Sequence, residues 1–135
     1  MVTAVRVRQL PETVVSRWVD SFNARDLERM LACLSEDVDF HPVRMSGLGA
    51  SYRGHDGVRE WFARLRRLGH DYRIVLAEAR DAGDGRVFAS GSLTLGGEAD
   101  VGPFCALHRI AGGVIVSAHQ YHSDPDMIEQ LGLIA

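Results

Sequence analysis

Lysine is absent from the 135-residue chain, and its whole basic complement is fifteen arginines set against eighteen acidic residues, for a formal charge of −3. With no basic excess there is little to displace counterions from a phosphate backbone, so no nucleic acid is expected as a partner. Cysteine is scarce. Cys33 and Cys105 are too few for a disulfide framework or a four-cysteine zinc centre, which points to reduced thiols and a cytoplasmic setting. No stretch reaches the roughly 18 apolar residues of a membrane span, and the opening MVTAVRVRQLPE lacks the apolar core of a signal peptide, so no membrane partner is expected. Internal repeats and low-complexity segments are also missing. No glycine-rich stretch joins a strand to a helix ahead of a lysine, which excludes a phosphate loop.

What is present is the composition of one soluble domain spanning residues 1–135, with 46% hydrophobic and 24% charged residues, enough to bury a core. From Thr13 to Ala24, the residues Val14, Val15, Trp18, Val19 and Phe22 recur at helical spacing, and Pro11 suits a first turn, where its missing N–H costs nothing. Asp26 is placed to cap a short second helix with the stripe Leu27, Met30, Leu31 and Leu34, and the two should form a hairpin. Val38 and Phe40 alternate with Asp37 and Asp39 in a brief strand that stops at His41-Pro42, before a loop marked by Gly47 and Gly49. Asp56-Gly57 opens a third helix, which Asp56 caps. It buries Val58, Trp61, Phe62, Leu65 and Leu68 and leaves Arg59, Arg64, Arg66 and Arg67 wet.

After Gly69 the pattern changes to strands: Tyr72 to Ala79, Arg86 to Leu95, Val101 to Ile110 and Val114 to His122, separated by glycine turns at hairpin distances. Asp124-Pro125 then caps a last short helix that ends at Gly132. Helices first and a meander afterwards spell an α+β fold: a cone-shaped barrel of a curved, mainly antiparallel sheet wrapped on N-terminal helices. A cone of this kind is the usual setting for a small-molecule pocket.

Three runs carry a family resemblance: SRWVDSFNARDLERMLACLSEDVDFHPV, YRGHDGVREWF and HRIAGGVIVSAHQYHSDPDMIEQLGL. They resemble the SnoaL-like branch of the nuclear transport factor two-like superfamily over nearly the whole chain. Its members are α+β cones, often dimeric. They include ketosteroid isomerases, polyketide cyclases, limonene epoxide hydrolases and non-catalytic binding proteins. The resemblance implies a cofactor-independent acid–base enzyme of isomerase or cyclase type, acting on a small, mostly apolar carbonyl compound. A non-catalytic binder of the same fold is the alternative, and an epoxide hydrolase-like activity ranks third. Matched onto these stretches, the steroid isomerases' tyrosine and acidic donor fall at Trp18 and Cys105, and their base at His41 by the residue-before-proline pattern or at Pro42 by an ungapped comparison from the first helix; none of these is the family's residue. The acidic group that polyketide cyclases hold inside the cone falls at Gln120. Arg109 has no acidic neighbour two residues away, so the epoxide hydrolases' arginine-flanked carboxylates have no counterpart.

His41 stands where the resembling enzymes keep their base, and Pro42 holds it extended at the mouth of the cone. An imidazole there accepts a proton near neutrality, so His41 is the expected catalytic residue, assisted by His122 and Gln120. Trp18, Phe22, Tyr52, Trp61, Cys105 and Leu107 are the expected pocket lining. On the last strand His119 and Tyr121 share one face while Gln120 and His122 share the other. His119 and His122 therefore cannot meet at one ion, and no metal and no cofactor is expected. Apolar side chains on both strand faces, such as Ile115 beside Val114 and Val116, leave an outer surface for a homodimer.

Overall fold

The computed structural model describes residues 10–42, 51–69, 71–96 and 99–121. Helix α1 (Pro11–Asn23) starts with its proline in the first turn and buries Val14, Val15, Trp18, Val19 and Phe22, the stripe legible in the sequence. Arg25 takes the left-handed conformation at φ 57°, and its guanidinium holds the turn by donating to the carbonyls of Phe22 and Tyr72 and to Asp71. Helix α2 (Leu27–Ala32) is capped by Asp26, whose carboxylate accepts from the Arg29 backbone N–H at 3.2 Å. Asn23 joins this hairpin to the sheet. Its side-chain amide both donates to and accepts from the backbone of Ile74, each at 2.8 Å, standing in for a neighbouring strand.

The remaining elements are β1 (Leu34–His41), β2 (Tyr52–Arg53), α3 (Gly54–Arg67), β3 (Tyr72–Gly83), β4 (Arg86–Leu95), β5 (Ala99–Ala111) and β6 (Val114–Tyr121). They form one curved, unclosed six-stranded sheet in the order β2-β1-β6-β5-β4-β3. Every pairing is antiparallel except β1 with β6, which run parallel. The α+β cone expected from the sequence is thus the observed architecture. Helices α1 and α3 pack on one face, called inner below. There the buried aliphatic and aromatic side chains of α1 and α3 meet Val38, Phe40, Val87, Ala89, Phe104, Ala106, Ile115 and Ala118 in one core.

Several expectations need correction. Leu34 opens β1 instead of closing α2, because the helix stops at Cys33 and hands the next apolar residue to the sheet. Helix α3 starts at Gly54, with Arg53 as its N-cap and no side-chain cap. Asp56 sits inside the first turn, nearly fully exposed, and pairs with Arg59 at 2.9 Å, so it is not the cap. Tyr52–Arg53 is a short strand, and β3 runs on to Gly83 through a bulge beyond Leu76. Gly91 faces that bulge. A Cβ built there would lie 2.0 Å from the Val75 carbonyl oxygen, so only glycine fits without movement. Among the described residues no helix is long and apolar enough to cross a membrane. The loop at Gly47 and Gly49, the helix expected after Asp124, and His122 lie outside the described residues.

Candidate functional site

Side chains alternate across a strand, so the register assigns each strand residue to a face. His108 of β5 pairs with Ala118 of β6, Ala106 with Gln120, and Ala118 with Phe40 of β1. All five share the inner face with Trp18 and Phe22 from α1 and Trp61 from α3. Four of the rings close a circuit: Trp18 to Phe22 at 5.8 Å, Phe22 to Trp61 at 5.8 Å, Trp61 to Phe40 at 4.9 Å, and Phe40 to Trp18 at 6.0 Å between centroids. Trp18, Phe22 and Trp61, named from the sequence as lining, are therefore brought together. Tyr52 faces the same way, opposite Phe40, and its hydroxyl accepts from Arg64 at 3.3 Å.

One polar residue inside this face escaped the sequence reading. His108 is fully buried, with its ring 6.4 Å from Trp18. Burial pushes its pKa down to about 4, the Val87 backbone offsetting this only in part, so the ring is neutral at pH 7. The Val87 backbone, opposite it across the β4–β5 pair, is the polar group against this ring, a contact short of full hydrogen-bond geometry, whereas the indole nitrogens of Trp18 and Trp61 have no hydrogen-bond partner among the described residues. Buried polar atoms are almost always paired with protein, water or ligand, so the two indole nitrogens and the His108 ring are the polar groups this face has to offer. Gln120 is also buried, diagonally across the β5–β6 pair from His108. The signal for His108 was available as the even-numbered set Phe104, Ala106 and His108, but an isolated histidine in an apolar strand draws no attention.

Three expected positions need correction. Phe40 points into the core, so His41, its neighbour along the strand, lies on the outer face and not in the mouth of the cone. Leu107 and Cys105 also face outward, because Ala106 and His108 occupy the inner parity; they pack with Phe88 in a separate small cluster. Burial raises the Cys105 thiol pKa, as for a packing residue and not a nucleophile. Cys33 is likewise raised by burial, Arg17 and Arg29 opposing it only weakly, in a cleft of about 260 Å³ beside α1 and α2. Both cysteines are free.

On the outer face His41 joins a second group. Its Nε2 lies 2.9 Å from Asp39 Oδ1 and its Nδ1 2.8 Å from Ser51 Oγ. Its ring stacks on that of His119, its partner in the parallel β1–β6 register, at 4.0 Å and 28°. The hydrogen bond from His41 is the main cause that holds the Asp39 carboxyl below its ordinary pKa. Partial burial, then the charge of His41, lowers His119, with Asp39 opposing.

Comparison with known proteins agrees with this architecture. The SnoaL-like domain family matches residues 15–118. A crystal structure of an NTF2-like protein of unknown function from Burkholderia pseudomallei is 28% identical with a TM-score of 0.68, the alignment covering 90% of this chain and 97% of that one. TerC, crystallised with polyporic acid, is 22% identical with a TM-score of 0.72, over 90% of this chain and 98% of that one. A protein from Sinorhizobium meliloti, provisionally described as a polyketide cyclase, is 14% identical with a TM-score of 0.67, over 80% and 93%. Among curated proteins, none matches the sequence.

Proposed function

The chain belongs to the SnoaL-like domain family, and from that premise we propose that its cone binds a small, mostly apolar carbonyl compound and moves a proton on it without a cofactor, as an isomerase or cyclase does. The observation that carries this reading is the pair of indole nitrogens of Trp18 and Trp61, buried on the inner face with no hydrogen-bond partner among the described residues, beside a buried, neutral His108 whose polar neighbour is the Val87 backbone. Aromatic walls supply apolar area for the body of the guest, while the indole N–H groups and the Gln120 amide supply donors for its carbonyl oxygen. A neutral His108 supplies one donor and one acceptor nitrogen and takes or gives the proton. TerC, a relative in fold, is crystallised with polyporic acid, and the provisional polyketide cyclase from S. meliloti shares that fold; both favour ligands of this class. The proposal includes a homodimer formed through the outer face and a cytoplasmic setting.

A second reading keeps the pocket and drops the chemistry. It is favoured by one observation: the buried polar residues among those described are Ser21, Thr94, His108 and Gln120, with no carboxylate. An imidazole held near pKa 4 is a better hydrogen-bond partner than a base at pH 7. Titration calorimetry with polyporic acid and simple aromatic ketones tests the pocket. Saturable binding to the wild type, weakened by about tenfold, roughly 1.4 kcal/mol, in Gln120→Leu, supports it; absence of binding by every compound contradicts it. Turnover lost in His108→Gln selects the enzyme. Binding without turnover in the wild type selects the binder.

A further inference from the structure

We propose that Asp39, His41 and His119 form a binding site for one zinc-class divalent metal ion on the outer face of the sheet. The site lies on the opposite face of the sheet from His108 and Gln120. One nitrogen from each imidazole and one carboxylate oxygen lie within 4.8 Å of one another. Two imidazoles and a carboxylate are the donor set of borderline ions such as zinc or cobalt, whereas magnesium prefers an all-oxygen shell.

The sequence conceals the site because its residues lie on two strands far apart in the chain. Along β6 alone, His119 has no ligand of its own parity within metal-binding spacing. The parallel pairing of β1 with β6 sets His41 directly opposite His119, and Asp39, two residues earlier on β1, shares their face. In such a pairing the strand backbone fixes the ligands' starting points, so little chain entropy is left to lose on binding.

The hydrogen bonds around His41 already have the form of a ligand and its support. His41 Nε2 lies against the Asp39 carboxylate, which can only accept, and Nδ1 against the Ser51 hydroxyl; with the ring's proton on Nε2, Nε2–H donates to Asp39 and Nδ1 accepts from Ser51. An ion entering between His41 Nε2 and Asp39 Oδ1 shifts the ring's single proton from Nε2 to Nδ1. The Ser51 oxygen then accepts from it, and this second hydrogen bond fixes the direction of the ligating nitrogen. Tetrahedral donors around zinc sit about 3.3 Å apart, close to the existing 2.9 Å between His41 and Asp39. The three donor atoms lie within 4.8 Å of one another, against about 3.3 Å between donors around zinc, so side-chain rotation closes the remaining gap as the ion enters. His41 and Asp39 retain 29% and 42% of their side-chain exposure, which leaves solvent access and open coordination positions for water.

The test uses untagged full-length protein stripped with chelator, titrated with zinc by calorimetry and with cobalt by its visible absorption. The expected result is one zinc per chain, a rise in melting temperature on adding zinc because the ion binds the folded state, and no response to magnesium. His41→Ala and His119→Ala are each expected to lose at least about tenfold in affinity, and the double variant to lose the site, while metal-free melting temperatures stay near wild type as evidence of folding. Absence of zinc and cobalt binding by the wild type overturns the assignment, as does wild-type affinity in either single variant.

Discussion

His41 and His119 stack at 4.0 Å on the outer face of the sheet, while Phe40 and Ala118, the residues just before them, are paired in register and buried in the inner core. Adjacent residues of β1 therefore carry very different energetic weight. Phe40 touches Trp18 and Trp61 and is fully buried. Phe40→Ala is expected to cost about 3–5 kcal/mol through lost contact and a cavity, and His41→Ala less than about 1 kcal/mol. Urea denaturation of the two variants measures this. Equal losses would mean that the strand faces are assigned the wrong way round.

Acid stability should carry the mark of His108. The folded protein holds this imidazole neutral down to about pH 4, whereas an unperturbed histidine protonates near pH 6.5. Between those values the unfolded chain binds the extra proton, so stability is complete above pH 6.5 and falls as the pH drops toward 4. The loss attributable to this group is on the order of 3 kcal/mol. Denaturation curves at stepped pH should be steeper for the wild type than for His108→Leu over this window.

Gly91 should resist substitution although it lies in mid-strand. The β3 bulge brings the Val75 carbonyl oxygen to 2.0 Å from any added Cβ. Gly91→Ala is expected to destabilise the fold by roughly 1–3 kcal/mol, visible as a lower melting temperature, whereas Gly69→Ala meets no neighbour and carries only the strain of its φ of +72°.

Self-association is expected through the outer face, where Phe88 and Leu107 pack around Cys105. Light scattering at micromolar concentration should give twice the chain mass of 14.9 kDa. Leu107→Arg should shift the mass toward that of a single chain, and a wild-type monomer would remove the dimer.

The sequence was most legible where one periodicity dominates. The stripe of Val14, Val15, Trp18, Val19 and Phe22 announces α1, and Asp26 announces its own capping role, because both are local features. Face assignment was harder. His41 was expected inside from its place before Pro42, yet β1 faces were decided by Phe40 meeting Trp18 and Trp61, contacts that no local pattern encodes. Cys105 and Leu107 were misplaced for a related reason: apolar residues occur on both parities of β5, and only the register with Gln120 and His119 shows which set is inner. His108 went unnoticed because one buried imidazole leaves no periodic trace, and the outer group formed by Asp39, His41 and His119 depends on a parallel pairing between distant strands.

The central claim is that the inner face at His108 receives the carbonyl of a small guest. Nitrogen-15 NMR of the histidine side chains at pH 7, recorded with and without a ligand that binds by calorimetry, tests it directly. The account predicts a neutral His108 in the free protein, as its pKa of about 4 requires, and a clear change in its ring nitrogen shifts when the guest occupies the cone. A bound ligand that leaves the His108 shifts unmoved, or a charged His108 at pH 7 in the free protein, would contradict it.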